Sequence, residues 1–499
     1  MKQPFTYFIY RYWDAILASS IVFVWILHYA RHGGIGISPD SVAYLSAADN
    51  IVNGFSFTDY NGIPFVLFPL GYPVFLAMVQ LFSPDTLIHT APTLNGLLFS
   101  GLLFMSSYLF RQMRFYHPAV RLLLLLLLAT SSALLEVYSM LWSETLFLFL
   151  VLLFFIVFNR YLHSLKRRDL LMAAMVVSLV FVVRYAGITC IITGCLLILL
   201  NGRLTGKKKL QHLMVFGTVG IALAAWNLVR NNLISGTFTG VRQKATRTVA
   251  ENLQDIGEVL RYWFPLTESV PAWTMVAGSL ILLIALLFVL HSLLQQQYFS
   301  ATEHSIALFI LVYAAFMLTI SSVSRFETLS SRLLSPVYIP ILLLLAAGSV
   351  YLVRRNNRFL KIAITLLLLS TYGYTQYHHY NNNSHTWEGV SYAGMPGYTE
   401  DQWKKSPLID HMRKRKALFS GPIFSNANDA LFFLSGIKAF PLPHKDIPGE
   451  IRAFRQNKSF FLVWFFYGDN PDLIGLEYIQ QHYPIKASWQ FKDGIIFSF

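Results

Sequence analysis

The chain has 499 residues, of which 55% are hydrophobic and 13% charged, and its formal net charge is +14. Several apolar runs of about 18 or more residues lack charges, which excludes a soluble enzyme and marks a polytopic α-helical membrane protein. The basic balance would suggest nucleic acid in a soluble chain; here it falls between apolar runs, so it is read as topology signal and lipid-headgroup contact, with no nucleic-acid partner.

The first apolar run, Ala15 to Ala30, is flanked by Lys2 and Arg11 and lacks a small-residue cleavage site, so it is expected to be a retained span. After it comes Gly36-Ile-Ser-Pro-Asp-Ser-Val-Ala-Tyr-Leu-Ser-Ala-Ala-Asp49. Pro39 stops a regular helix from running on. Ser38 or Asp40 then caps a short amphipathic helix through Val42, Leu45, Ala48 and Ile51. The polar segment does not turn apolar again until about Thr93.

Further spans are expected near 92–110, 118–135, 141–159, 169–183, 187–201, 211–230, 274–295, 303–321, 334–353 and 359–377, which with 13–30 makes about eleven. Residues 169–201 are too long for one untilted helix across a ~30 Å core, so two spans are expected there. Basic residues test the map. With the N-terminus cytoplasmic, the inner side collects seventeen Lys and Arg, among them Arg160, Lys166 to Arg168, Lys207 to Lys209 and Arg354 to Arg358, against nine in the outer loops. Merging the spans within 169–201 would put the Lys207 cluster outside. On this map 31–91, 136–143, 231–273 and 322–333 face outward, as does everything from about His378.

The tail changes character. Asn381-Asn-Asn-Ser-His is a polar break, and short strand-like runs follow at Pro422-Ile-Phe-Ser, Ser459-Phe-Phe-Leu-Val-Trp-Phe-Phe and Gly494-Ile-Ile-Phe-Ser-Phe. Helical patterns at Ser406–Lys416 and Ala427–Ser435 alternate with them. The expected division is a transmembrane domain, 1–377, with its first outer loop at 31–91, and a small extracytoplasmic α/β domain, 378–499. Cys190 and Cys195 are the only cysteines and lie in one apolar run, so neither a structural disulfide nor a zinc site is expected.

Four ionisable residues fall at the outer ends of spans: Asp40, Glu144 in Trp142-Ser-Glu-Thr-Leu-Phe, Arg184 in Val183-Arg-Tyr-Ala-Gly, and Arg332 in Ser331-Arg-Leu-Leu-Ser-Pro. Each has a structural reading as well. Asp40 serves as an N-cap, Glu144 sits well at a helix N-terminus, and both arginines can snorkel to headgroups. Tyr44, Tyr72 and Tyr185 are interfacial anchors or sugar-stacking rings. Together, carboxylates and guanidiniums on one face suit an anionic, lipid-linked donor. A guanidinium holds a phosphate bidentately and a carboxylate takes the acceptor's proton.

Ser38-Pro-Asp-Ser-Val-Ala-Tyr44-Leu, with Phe68-Pro-Leu-Gly-Tyr-Pro-Val-Phe after it, resembles the first extracytoplasmic loop of GT-C glycosyltransferases, which include protein mannosyltransferases and lipid A aminoarabinose transferases. Ser143-Glu-Thr-Leu-Phe, Val183-Arg-Tyr-Ala-Gly and Arg332-Leu-Leu-Ser-Pro-Val-Tyr-Ile-Pro are similar to later patterns of that family, and Phe424-Ser-Asn-Ala-Asn-Asp to its periplasmic end. The resemblance implies a GT-C fold, with sugar transfer at the outer face from a polyprenyl-phosphate donor to a lipid, glycan or protein acceptor, and inversion at the anomeric carbon. It implies Asp40 as catalytic base. Arg184 and Arg332 are expected at the donor phosphate, and Glu144, Tyr44 and Tyr185 as groups orienting the acceptor or the site. No cofactor or metal is expected. Many members carry an Asp-Glu pair where this chain has Asp40-Ser41, which weighs against a protein mannosyltransferase. The rivals are a lipid-linked sugar flippase, which predicts polar residues near the midplane such as Asn95 and Asn227, and a non-catalytic envelope assembly protein, in which Asp40 is dispensable.

Overall fold

A computed structural model describes residues 4–83, 86–113, 115, 117–265, 276, 279–280, 283–289, 302–325, 327–468 and 470–499. The expected span at 274–295 lies mostly outside the described residues. By internal contacts the chain divides into two units, one of residues 1–29, 66–75 and 90–388, the other of 30–65, 76–89 and 389–499.

The first unit is helical. Among the described residues six helices are long and apolar enough to cross a membrane: Ile9–Ala30, Leu87–Gln112, Glu144–Ser164, Gly206–Ser235, Thr302–Val323 and Ser331–Arg355. Seven result if Pro118–Ala129 and Ser132–Tyr138, bent by 55°, count as one span. The chain is thus a multi-pass membrane protein, and the expected count of eleven is not reached by length and composition alone. The stretch 169–201 divides as expected. The helix Arg167–Val183 ends at Arg184, whose backbone is extended (φ −148°, ψ 139°), and Ile188–Leu200 begins after a short 3-10 turn. Each piece is shorter than a ~20-residue span. The expected straight span at 118–135 breaks at Thr130, and Ser131 caps the new helix through Leu134 N–H.

Glu144–Ser164 is apolar all round from Leu146 to Phe158 and therefore sits inside the bundle there. Phe154, Phe155 and Phe158 are fully buried there. Gly71 lets the short helix Gly71–Phe82 touch the end of Arg167–Val183; a Cβ at Gly71 would lie 2.5 Å from the Val182 carbonyl oxygen. Asn95 and Asn227, the deep polar residues of the transport reading, serve the backbone. Asn95 donates to the carbonyls of Tyr138 (2.8 Å) and Met140 (2.9 Å), and Asn227 accepts from Leu70 N–H.

The polar break expected at Asn381 is helical. The helix Arg358–Ala393 has 36 residues and runs through it. Tertiary contacts override the weak propensity of the asparagines. Asn383 donates to the Thr130 carbonyl (2.8 Å), its own carbonyl accepts from the Tyr29 hydroxyl (3.0 Å), and Trp387 stacks on His28 at 4.3 Å.

The second unit joins the first-loop helix Pro39–Gly54 to the C-terminal segment. Its five strands are β1 Ile423–Ser425, β2 Phe440–Pro441, β3 Phe461–Phe465, β4 Ala487–Gln490 and β5 Gly494–Ser498, in the order β2-β1-β3-β5-β4. β1 is parallel to β2 and β3, while β5 is antiparallel to β3 and β4. Parallel neighbours need crossovers, and the helices Asn428–Ser435 and Pro448–Arg455 supply them. The strand-like runs and the helix at Ala427–Ser435 thus stand where the sequence places them. The core is aromatic, with Phe454, Phe460, Phe497 and Phe499 around Leu442, Leu462, Ile474 and Ile479.

Candidate active-site centres

In the first unit, Glu144, Arg184 and Arg332 meet. Glu144 opens its helix and is 1% exposed. A buried carboxylate is tolerated only if paired and hydrogen-bonded, and here it is paired twice. Arg184 Nη1 lies 2.7 Å from Glu144 Oε2, and Arg332 Nε lies 2.5 Å from Oε1. Arg184 also donates to the Ser143 hydroxyl at 2.9 Å, and the Arg332 guanidinium stands 4.2 Å over the Trp142 ring.

Three features of the chain bring them together. Arg184 is presented by the extended residue that interrupts 169–201. Arg332 is the second residue of Ser331–Arg355. Ser143 and Trp142, the two residues before Glu144, each take one arginine. The other ends of these helices carry Arg160, Arg167, Arg168, Arg354 and Arg355, so the three meeting residues share one end of the bundle. A cavity of about 440 Å³ lined by Met113, Glu303, Tyr351, Arg354 and Arg355 lies at the other end of Ser331–Arg355 from Arg332 and has no part in this centre.

A guanidinium presents N–H donors in a planar fork that binds phosphates as well as carboxylates. Glu136, which sequence reasoning did not single out, adds its charge near Arg332 and Glu144. Tyr185 stands next to Arg184. Its hydroxyl donates to the Val66 carbonyl (3.0 Å) and accepts from Asn231 (3.0 Å), and Asn231 also binds the Phe238 carbonyl. Arg230 in turn donates to Asn231 (3.0 Å).

In the second unit, Asp40 stands in the first turn of Pro39–Gly54. Ser38 is the N-cap; it forms a capping box with Ser41, leaving the Asp40 carboxylate out of the capping role the sequence allowed it. The helix dipole favours negative charge at that position. Tyr44, one turn on, is 1% exposed and packs toward Phe65 rather than presenting an open ring. The start of the helix is tied to the C-terminal segment: Tyr398 N–H donates to the Ile37 carbonyl at 2.8 Å. Gly397 makes this approach possible. Its φ is +85°, and a Cβ there would fall 2.1 Å from the Ile37 oxygen.

Three residues that the sequence did not single out gather here. Tyr60, in the Asp59-Tyr-Asn-Gly turn, donates its hydroxyl to Asp429 Oδ1 at 2.8 Å, and Asn428 donates to the same hydroxyl at 2.5 Å. The Tyr60 ring stacks on Phe432 at 4.2 Å. Tyr398 is 9% exposed. Burial, with the charges of Asp429 and Asp40, pushes its phenol well above the usual range. Asp429 opens Asn428–Ser435, which packs on the helix of Asp40. Burial and the charges of Asp40 and Asp59 push its carboxyl up to about 6, against the Tyr60 hydrogen bond. The sequence signal for Asp429 is Ser425-Asn-Ala-Asn-Asp429, within the pattern Phe424-Ser-Asn-Ala-Asn-Asp.

No family model matches the chain, and no curated protein matches it. Solved structures do. The ArnT of Cupriavidus metallidurans bound to undecaprenyl phosphate is 10% identical, with 97% of each chain covered and a TM-score of 0.58. The apo form of the same protein gives 0.54, at 10% identity, over 96% of this chain and 97% of that one. The archaeal oligosaccharyltransferase AglB of Archaeoglobus fulgidus, in complex with an inhibitory peptide and a dolichol-phosphate, is 11% identical over 98% of this chain and 74% of that one, with a TM-score of 0.52. The likeness runs through both units, and it shows that the chain has the GT-C fold.

Proposed function

We propose that the chain is an inverting glycosyltransferase that moves a sugar from a polyprenyl-phosphate donor to an acceptor at the outer face of a bacterial inner membrane, with its N-terminus cytoplasmic and its C-terminal domain extracytoplasmic. The observation that carries this reading is the GT-C fold together with ionisable residues gathered at one end of the first unit's helices. The solved neighbours ArnT and AglB, held with undecaprenyl phosphate and with a dolichol-phosphate, support a lipid-linked donor.

In this reading Arg184 and Arg332 hold the donor phosphate and stabilise it as it leaves. Glu144 holds both guanidiniums in place. Asp40 takes the acceptor's proton as its oxygen or nitrogen attacks the anomeric carbon from the face opposite the phosphate. Tyr185 acts through its hydrogen bonds to Val66 and Asn231, which fix the turn that presents Arg184. A transporter is less well supported, because Asn95 and Asn227 are engaged with backbone groups.

The test is transfer in proteoliposomes supplied with radiolabelled undecaprenyl-phosphate pentoses and hexoses and a membrane lipid extract as acceptor. The expected result is label leaving one donor for an extractable product. Label that stays on the donor while the intact lipid crosses the bilayer would overturn the reading in favour of transport.

A further inference from the structure

Arg332 springs from a helix start that holds itself poorly. Ser330, the N-cap of Ser331–Arg355, gives no side-chain hydrogen bond to the first turn. Pro336 has no N–H, so the Arg332 carbonyl lacks its helical partner four residues on and accepts from the Ser335 hydroxyl instead, at 2.7 Å. A turn with neither a side-chain cap nor that bond takes its place from tertiary contacts.

We propose that Trp263, the last residue of the helix Val249–Trp263, is a positioning residue for Arg332: its indole N–H holds Ser331, and so sets the direction from which the Arg332 guanidinium meets the donor phosphate. The inference rests on the proposed role of Arg332 and gives Val249–Trp263 a part in donor binding. The Trp263 indole N–H donates to the Ser331 hydroxyl at 2.9 Å, and Ser331 immediately precedes Arg332. Trp263 is 1% exposed, and its ring meets Tyr338, farther along the same helix as Arg332, edge-on at 5.0 Å. A second tie comes from the Tyr313 hydroxyl, which donates to the Leu333 carbonyl at 2.7 Å.

The helix that carries Trp263 is itself firmly seated. Thr248 and Glu251 form a capping box at its start, and Asn252, Ile256, Val259 and Leu260 share its buried face with Trp263. It packs on Thr302–Val323 and Ser331–Arg355, and Asn252 donates to the Ser322 hydroxyl at 2.9 Å. The chain ahead of it is tied to the end of Thr302–Val323: Arg325 N–H donates to the Gln243 carbonyl (2.8 Å) and Ala245 N–H to the Val323 carbonyl (3.3 Å). Arg332 is thus held twice. Glu144 and Trp142 hold the guanidinium, and Trp263, through Ser331, holds the turn from which the side chain springs. A planar group that grips a phosphate through two N–H donors depends on direction as well as charge, so a small displacement of that turn weakens the grip while leaving the charge in place.

The test measures kcat and the donor KM in proteoliposomes, for the radiolabelled undecaprenyl-phosphate sugar that wild type transfers, together with each variant's thermal unfolding midpoint in detergent. The variants are Trp263→Phe, which keeps a ring against Tyr338 and removes the N–H, Ser331→Ala, the two combined, and Ser331→Thr, which keeps a hydroxyl. Trp263→Phe and Ser331→Ala are each expected to raise the donor KM about fivefold, with kcat within about twofold of wild type. The double variant is expected to be no worse than the singles, because both remove the same bond, and Ser331→Thr to keep the wild-type KM. An unchanged donor KM in either single variant, effects that multiply in the double variant, or a Ser331→Thr that behaves as Ser331→Ala overturns the inference and leaves the proposed function standing. So does a fall in kcat that tracks a lower unfolding midpoint, which marks a structural role alone. Wild type that transfers no sugar overturns the proposed function and the inference with it.

Discussion

Glu144 is the residue on which the first unit's ion cluster depends. It is buried and answers two guanidiniums at 2.7 and 2.5 Å. Removing one partner of a buried pair leaves uncompensated charge and costs about 3–5 kcal/mol. Glu144→Gln is therefore expected to lower the thermal unfolding midpoint in detergent strongly, whereas Arg413→Gln, which removes one partner of the exposed pair with Asp410, is expected to change it little. Arg332→Lys keeps a charge but loses the planar group that lies over Trp142 and binds a carboxylate through Nε. It is expected to raise the KM for the lipid donor more than it lowers kcat. Asp429 gives a signed pH effect. Its carboxyl is raised, so between pH ~4 and ~6 the folded state holds a proton that the unfolded chain releases, and folding stability falls as pH rises through that window. Asp429→Asn removes the penalty. The variant is expected to unfold at a higher temperature than wild type at pH 7.5, by the equivalent of about 1–2 kcal/mol, and to gain little at pH 4.5. Glu144, Arg184 and Arg332 were legible in the sequence because each interrupts an apolar pattern at a span's end. Asp429, Tyr60 and Tyr398 were not, because each sits in a turn or at the start of a short helix away from the spans and gains meaning only from partners more than 300 positions away in sequence.

At the scale of the element, three joints matter. The extended residue Arg184 separates two short helices and was foreseen, since a single helix over 169–201 would overrun the hydrocarbon core. The break at Thr130 and the continuation through Asn381 were not foreseen. Both are decided by tertiary hydrogen bonds, from Asn383 to Thr130 and from Tyr29 to Asn383, which local propensity does not encode. Residues 381–385 look like a linker because asparagine is a weak helix former, and packing outweighs that weakness. The third joint is the approach of Tyr398 to Ile37 through Gly397. Gly397→Ala brings a Cβ against the Ile37 oxygen in a left-handed backbone position. It is expected to loosen the start of the Asp40 helix, which faster amide hydrogen exchange across Ser41–Leu45 would register. Unchanged exchange there would show that the Ile37–Tyr398 contact does not hold the helix. In the C-terminal domain the strand pattern was legible from alternating aromatic runs bounded by Pro and Gly, and Phe460→Ala should cost about 3–5 kcal/mol through the cavity it leaves in that core.

At the scale of the whole molecule, the class of protein was legible from hydropathy alone, and the fold from short patterns spread along the chain. The number of spans was not, because several helices of this fold are shorter than a bilayer is thick or are bent, and windowed hydropathy scores them alike. Nor was the grouping of residues 30–65 with 389–499 in one unit, since nothing in either segment's composition names the other. That grouping places Asp40 with the C-terminal domain, and Glu144, Arg184 and Arg332 with the helices. The proposed function has the chain transfer sugar from a polyprenyl phosphate with Asp40 as the base. The most direct measurement compares wild type and Asp40→Asn, at matched expression in membranes, for transfer from a panel of labelled polyprenyl-phosphate sugars. The substitution keeps the side chain's shape, and the capping box of Ser38 and Ser41 does not depend on the carboxylate. Wild type is expected to transfer at least one sugar and the variant to lose about 10²-fold or more. Equal transfer by the two proteins would contradict it.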